Sequence, residues 1–239
     1  MAVVSTDCHL LNIKELYDMN SQLKEFTTTA ARPLPIIILA DTSGSMGVEG
    51  KIENLNQAIR EMLDTFADTE DLRAEIHVAI ITFGGTVNQH TPFMPAREAK
   101  SQWHEMSADG GTPMGGAMEL AAKVIEDKNV ISGRAYRPTV ILVSDGQPTD
   151  SWKTGLDHLT KQGRAQKADR MALAIGADAD VGMLQSFLGN SENKVFRVDD
   201  ARRIKEFFRF VTMSVTARTR SANPNDIPKM VDPFGLDQL

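Results

Sequence analysis

With 239 residues and a formal net charge of -6, the chain is long enough for one sizeable core, and its charge argues against a dedicated nucleic-acid binder, which usually presents a basic face, without indicating a partner. Cys8 is the only cysteine, which excludes an intrachain disulfide and fits a reducing compartment. No basic region followed by an apolar run opens the sequence, and no segment approaches the ~18 apolar residues of a membrane span, so the expectation is a soluble, cytoplasmic protein.

Residues 1–33 read as a polar lead-in, with Leu10, Leu11, Ile13, Leu16, Met19 and Leu23 at loose helical spacing. Thr27 to Thr29 and the Pro33/Pro35 pair break it. Ile36 to Ala40 is a continuous apolar run, the mark of a strand buried on both faces of a parallel sheet, and it ends abruptly in Asp41-Thr42-Ser43-Gly44-Ser45-Met46. Lys51 to Ala67 is an amphipathic helix with Ile52, Leu55, Ile59, Met62, Leu63 and Phe66 on one face. Glu75 to Phe83 is a second strand. Gly84-Gly85 permits a tight reversal into an antiparallel edge strand, Val87 to Phe93. A long loop follows over residues 96–113, with one short helix expected around Trp103, closing on Asp109-Gly110-Gly111-Thr112-Pro113. Pro113 suits the first turn of a helix from Met114 to Asp127.

Thr139 to Ser144 is another apolar strand ending in an acid, Asp145-Gly146-Gln147-Pro148-Thr149-Asp150. A helix over Gly155 to Gln166, a buried strand over Met171 to Ile175, a short helix over Val181 to Leu188, a short strand over Val195 to Val198 and a long helix over Ala201 to Ala217 complete the pattern. The alternation predicts an α/β, doubly wound, mostly parallel sheet with helices on both faces. The expected layout is a lead-in over 1–33, a domain over 34–217 and a flexible, proline-bearing tail over 218–239.

In such sheets ligands bind beyond the carboxyl ends of the strands. Asp41, Ser43 and Ser45 alternate along one turn, and Thr112 and Asp145 fall on what should be the same sheet edge. Two carboxylates and three hydroxyls suit a hard cation such as Mg²⁺, which takes about six oxygens and keeps several waters. Ser43 and Ser45 could coordinate directly, Asp41 and Asp145 directly or through water, and Thr112 could join or leave the shell as its loop moves. Taken alone, Asp41-Thr-Ser could equally be a helix cap. Asp109 and Asp150 read as loop-shaping or rim residues.

Asp-x-Ser-x-Ser after the first strand, a downstream Gly-Gly-Thr and a later Ser-Asp-Gly together resemble the metal-ion-dependent adhesion site of von Willebrand factor A domains, over roughly residues 34–217. That resemblance implies a sheet of five parallel strands and one antiparallel edge strand. It makes Ser43, Ser45 and Thr112 metal ligands, with Asp41 and Asp145 acting chiefly through water. Mg²⁺ is the expected ion, with Mn²⁺ and Ca²⁺ as alternatives. Members are usually binding modules rather than enzymes, so the implied partner is a protein that presents an Asp or Glu to the metal, with no nucleic acid and no membrane span. The strings Ala-Asp-Thr-Ser-Gly-Ser-Met and Ser-Asp-Gly-Gln-Pro-Thr-Asp are similar to bacterial tellurium-resistance-type members. Those are encoded beside Ser/Thr kinase-like and phosphatase-like partners, which implies a stress-response setting.

Two other readings stand beside the metal-dependent module. One is a metal-independent structural adaptor. The other is a metal-assisted phosphohydrolase with Asp41 as nucleophile. Against the latter, the Asp41 turn holds no general acid or cationic clamp, and there is no Gly-x-Ser-x-Gly elbow or Gly-x-x-x-x-Gly-Lys loop. His9, His77, His90, His104 and His158 lack metal-ligand spacing. Met46, Met114 and Trp152 follow site residues and could form an apolar rim or belong to the core. Arg202, Arg203, Lys205, Arg209, Arg218 and Arg220 read as a solvated helix face.

Overall fold

The computed structural model describes residues 30–189, 194–227 and 231–239. The expected lead-in helix, together with Cys8 and His9, lies outside the described residues.

Strand β1 (Arg32–Asp41) is the axis of the fold. It pairs in parallel with β2 (Ala74–Gly84) on one side and β4 (Thr139–Ser144) on the other. Side chains alternate along a strand, so Leu34, Ile36, Ile38 and Ala40 enter one core layer while Ile37 and Leu39 enter the other. Both faces are covered, which is why this strand reads as an unbroken apolar run.

Helices α1 (Lys51–Ala67) and α6 (Ile204–Arg220) cover the first face, with the short α2 (Ala96–Ser101) beside them. Helices α3 (Met114–Glu126), α4 (Trp152–Lys161) and α5 (Val181–Leu188) cover the second. Helices α3 and α4 approach closely because glycines face each other: a Cβ on Gly155 would lie 2.1 Å from Gly115 O, and one on Gly115 would lie 2.5 Å from Trp152 Cα.

Among the described residues the sheet has seven strands, in the spatial order β3 (Thr86–Pro95), β2, β1, β4, β5 (Asp169–Ile175), β6 (Phe196–Val198) and β7 (Asp237–Gln238). Strand β3 is the antiparallel edge expected after Gly84-Gly85, and β5 and β6 continue the parallel set. The seventh strand, β7, corrects the expected count of six: it pairs antiparallel with Phe196 and Arg197. The carboxyl-terminal segment therefore returns to the sheet, where Leu236 is buried and Phe234 packs on the first core layer.

Smaller differences have local causes. The short helix precedes Trp103 instead of surrounding it, opening on Pro95. Helix α4 begins at Trp152 and ends at Lys161, because Gly163 takes a left-handed φ of 53° before a 3-10 turn over Ala165–Lys167. Met46 and Met114 are core residues with no exposed surface, which removes them from any rim. The solvated basic face also loses Arg218, which is buried and donates to Pro224 O, Thr139 Oγ1 and Arg137 O. Burial lowers its pKa to about 10. Arg202 and Arg203 are paired with Asp200 and Glu206.

Candidate metal centre

Chain direction reverses its sideways progress at β1: β2 and β3 lie to one side, β4 to β7 to the other. The carboxyl ends of β1 and β4 therefore flank the switch point of the sheet, where a crevice forms. The parallel register sets Ala40 against Val143, which brings the next residues, Asp41 and Ser144, side by side.

Asp41 has no exposed surface. Its Oδ1 accepts from Ser43 N at 2.8 Å and its Oδ2 accepts from Ser144 Oγ at 2.5 Å. Burial dominates its titration and raises the pKa from 3.8 to about 6. The hydrogen bonds from Ser144 and Ser43 pull the other way, and the nearby Asp145 charge adds to the rise.

Asp145 closes the second half of the cluster. Ser45 Oγ donates to its Oδ1 at 2.7 Å, and Ser43 Oγ lies 3.1 Å from Ser45 Oγ. Since Ser45 gives its one proton to the carboxylate, Ser43 donates to Ser45 and keeps its own lone pairs free. The other carboxylate oxygen, Oδ2, accepts from Lys51 Nζ at 2.8 Å. Asp41, Ser43, Ser45 and Asp145 are thus brought together.

Thr112 reaches the same edge through a loop clamped by main-chain bonds. Gly44 N donates to Gly110 O at 2.9 Å, Asp109 N to Thr42 O at 2.8 Å and Gly85 N to Gly111 O at 2.8 Å. Gly110 can be nothing larger, since its φ is +71° and a Cβ would lie 2.5 Å from Gly85 Cα. Thr112 N then donates to Thr149 Oγ1, and Thr149 N returns a bond to Thr112 O, both at 2.9 Å. Asp150 takes Gly115 N and Gly116 N at 2.9 and 2.8 Å, so it caps α3 and fixes the turn that presents Thr112.

Gly146 forms the floor between the two halves. A Cβ there would stand 3.8 Å from Ser45 Oγ and 3.9 Å from Thr112 Oγ1, so the missing side chain leaves a cradle that both hydroxyls face. Among the described residues no three His, Cys, Asp or Glu side chains cluster as a metal site. Any ion in this cradle is therefore held by hydroxyl oxygens and at most two carboxylates, an all-oxygen set that fits a hard divalent cation keeping its waters. A cation already stands at Asp145 in the form of the Lys51 ammonium.

Lys51, Ser144 and Thr149 were not singled out from the sequence. Ser144 ends an apolar strand and Thr149 sits in a proline turn, and neither carries a pattern of its own. Lys51 did have a signal: a cation on the first residue of a helix, where acids are favoured.

Comparison with known proteins identifies the family of the fold. Residues 36–210 match the von Willebrand factor type A domain family. The chain is 28% identical over 213 residues to human inter-alpha-trypsin inhibitor heavy chain H6, covering 80% of this chain and 16% of that protein. It is 28% identical over 184 residues to the magnesium-chelatase 60 kDa subunit of Rhodobacter capsulatus, covering 73% of this chain and 28% of that one. The chain thus spans less than a third of these curated relatives. Among solved structures, proximal thread matrix protein 1 from the mussel byssus, with a zinc-occupied metal-ion-dependent adhesion site, superposes with a TM-score of 0.60 at 16% identity, covering 79% of this chain and 48% of that one.

Proposed function

The chain belongs to the von Willebrand factor type A family, and from that premise we propose that it is a metal-dependent protein-interaction module. In this reading Ser43 and Ser45 ligate a divalent ion directly, Thr112 joins them, and Asp41 and Asp145 support it chiefly through water. A bound ion would supply an electrophilic centre for an Asp or Glu of the partner. The observation that carries this reading is the Ser43-Ser45-Asp145 chain beside the buried Asp41, an oxygen-only set at the switch point of the sheet. The zinc-occupied site of the mussel protein supports a divalent ion at a related fold. Mg²⁺ is our choice for this chain on the hardness of its donors.

We read the chain as a non-enzymatic module. Asp41 is buried with both carboxylate oxygens engaged, so it is not presented to an incoming phosphorus atom. The cation missing from the Asp41 turn is supplied by Lys51, but it is bound to Asp145. The magnesium-chelatase 60 kDa subunit among its relatives makes assembly with an enzyme part of this reading. The same Lys51–Asp145 pair favours the second reading, a metal-independent adaptor, because it satisfies Asp145 without an ion. The placement beside tellurium-resistance-type proteins with kinase-like or phosphatase-like partners, and with it the cytoplasm, belongs to our reading of the Asp41 and Asp145 strings. No helix of the described residues is long and apolar enough to cross a membrane.

The test is affinity capture from native lysate with wild type and Asp41→Ala, each in Mg²⁺ and in EDTA. Proteins retained only by wild type in Mg²⁺ support metal-mediated docking. The same proteins in all four lanes replace it with the adaptor reading.

A further inference from the structure

The first residue of α1 is a lysine, at the helix end where the dipole and unpaired amides favour an anion. Gly50, which precedes it, provides no side-chain cap. A lysine so placed would normally extend its ammonium into water. Here the side chain is 14% exposed, and its Nζ lies 2.8 Å from Asp145 Oδ2 on a carboxylate with no exposed surface. Holding it there costs side-chain entropy and hydration, offset by one charge-assisted bond. With Ser45 Oγ on Oδ1, both oxygens of Asp145 have a partner.

The geometry points to Lys51 as a tethered competitor of the divalent ion, a built-in counter-cation that holds Asp145 when the metal is absent and weakens the metal's binding. This rests on the metal-site reading above. An ion beside Ser43 and Ser45 shares Asp145 with a fixed positive charge. Either the ammonium leaves Asp145 and loses its bond, or it stays and repels the ion. Both routes lower affinity. A double and a single positive charge about 5 Å apart, even with the screening of bulk water, correspond to a change of roughly tenfold to twentyfold in a binding constant. Lys51 therefore gives the site two satisfied arrangements, one with a divalent ion and one without, and makes the ion exchangeable.

The test is calorimetric titration of the full chain, stripped with EDTA, using Mn²⁺ alone as the probe. Lys51→Met is expected to bind Mn²⁺ at least about tenfold more tightly than wild type, and Lys51→Arg to stay near wild type because the charge is kept. Lys51→Gln retains a donor for Asp145 without the charge, so it shows the same tightening if Lys51→Met folds poorly. Melting in EDTA and in Mn²⁺ gives a second readout: the neutral variants melt lower than wild type without metal and gain more from it. Ser43→Ala/Ser45→Ala abolishes the titration. Neutral variants that bind as wild type does, or more weakly, while the double serine variant binds nothing, overturn the competitor role and leave the metal site standing. No binding by wild type or the neutral variants overturns both.

Discussion

Asp41→Asn gives the sharpest physical prediction, because it separates the stability of the site from its use. Asp41 titrates near 6 in the folded chain against 3.8 for a free side chain, mainly because it is buried. Below about pH 3.8 it is protonated in both states and costs nothing. Between 3.8 and 6 the folded chain holds a proton that the unfolded chain has lost, so its contribution to stability falls as pH rises. Above 6 both states are ionised and the full penalty applies. At 1.36 kcal/mol per pH unit that penalty is about 3 kcal/mol.

Asparagine does not titrate. It keeps an oxygen for Ser43 N, but turns a donor toward Ser144 Oγ, which must then release its proton elsewhere, with Gly146 O 3.5 Å away. We expect Asp41→Asn to be more stable than wild type by about 1–3 kcal/mol at pH 7.5 in EDTA. That advantage should shrink by about 2.4 kcal/mol between pH 7 and pH 4. Urea unfolding at several pH values measures it, and the difference between the two proteins cancels the titration of every other group. In millimolar Mg²⁺ the ranking reverses, because only wild type gains from the ion. A variant less stable than wild type in EDTA at pH 7.5, or a difference that does not move with pH, would refute the assignment of a buried, desolvated carboxylate.

Other substitutions probe the frame. Asp150→Ala removes the acceptor for two amides at the start of α3 and should cost about 1–2 kcal/mol in urea unfolding, with weaker metal binding as Thr112 loses its support. Gly155→Ala drives a methyl onto Gly115 O and should lower stability by about 2–3 kcal/mol or prevent folding, seen as a drop in melting temperature. Glu49 is the one non-glycine at positive φ (57°) among the described residues, so Glu49→Gly should stabilise by about 0.5–1 kcal/mol.

The sheet was legible where burial leaves a periodic or continuous apolar mark: Ile36 to Ala40 and Thr139 to Ser144 can only be interior strands, and each ends at its acid. The convergence of Asp41, Ser43, Ser45 and Asp145 followed because both acids sit at the carboxyl ends of neighbouring strands. Strand β7 was not legible. Asp237 and Gln238 are two polar residues too short for any period, and what holds them is Leu236 and Phe234 packing after a proline-bearing stretch. Arg218 escaped for a similar reason, since its burial depends on acceptors from Arg137, Thr139 and Pro224, remote in sequence or beyond the helix. Lys51 carried only one mark, a cation at the first helical position, and its role stayed hidden because its partner lies 94 positions away.

The measurement that bears most directly on the metal-dependent module is anomalous diffraction from a crystal of the full chain soaked in Mn²⁺. A peak is expected at direct coordination distance, within the range of about 2.0–2.6 Å spanned by hard cations and their oxygens, from the hydroxyls of both Ser43 and Ser45, in the cradle above Gly146. A peak away from these serines, or none at saturating Mn²⁺, contradicts it.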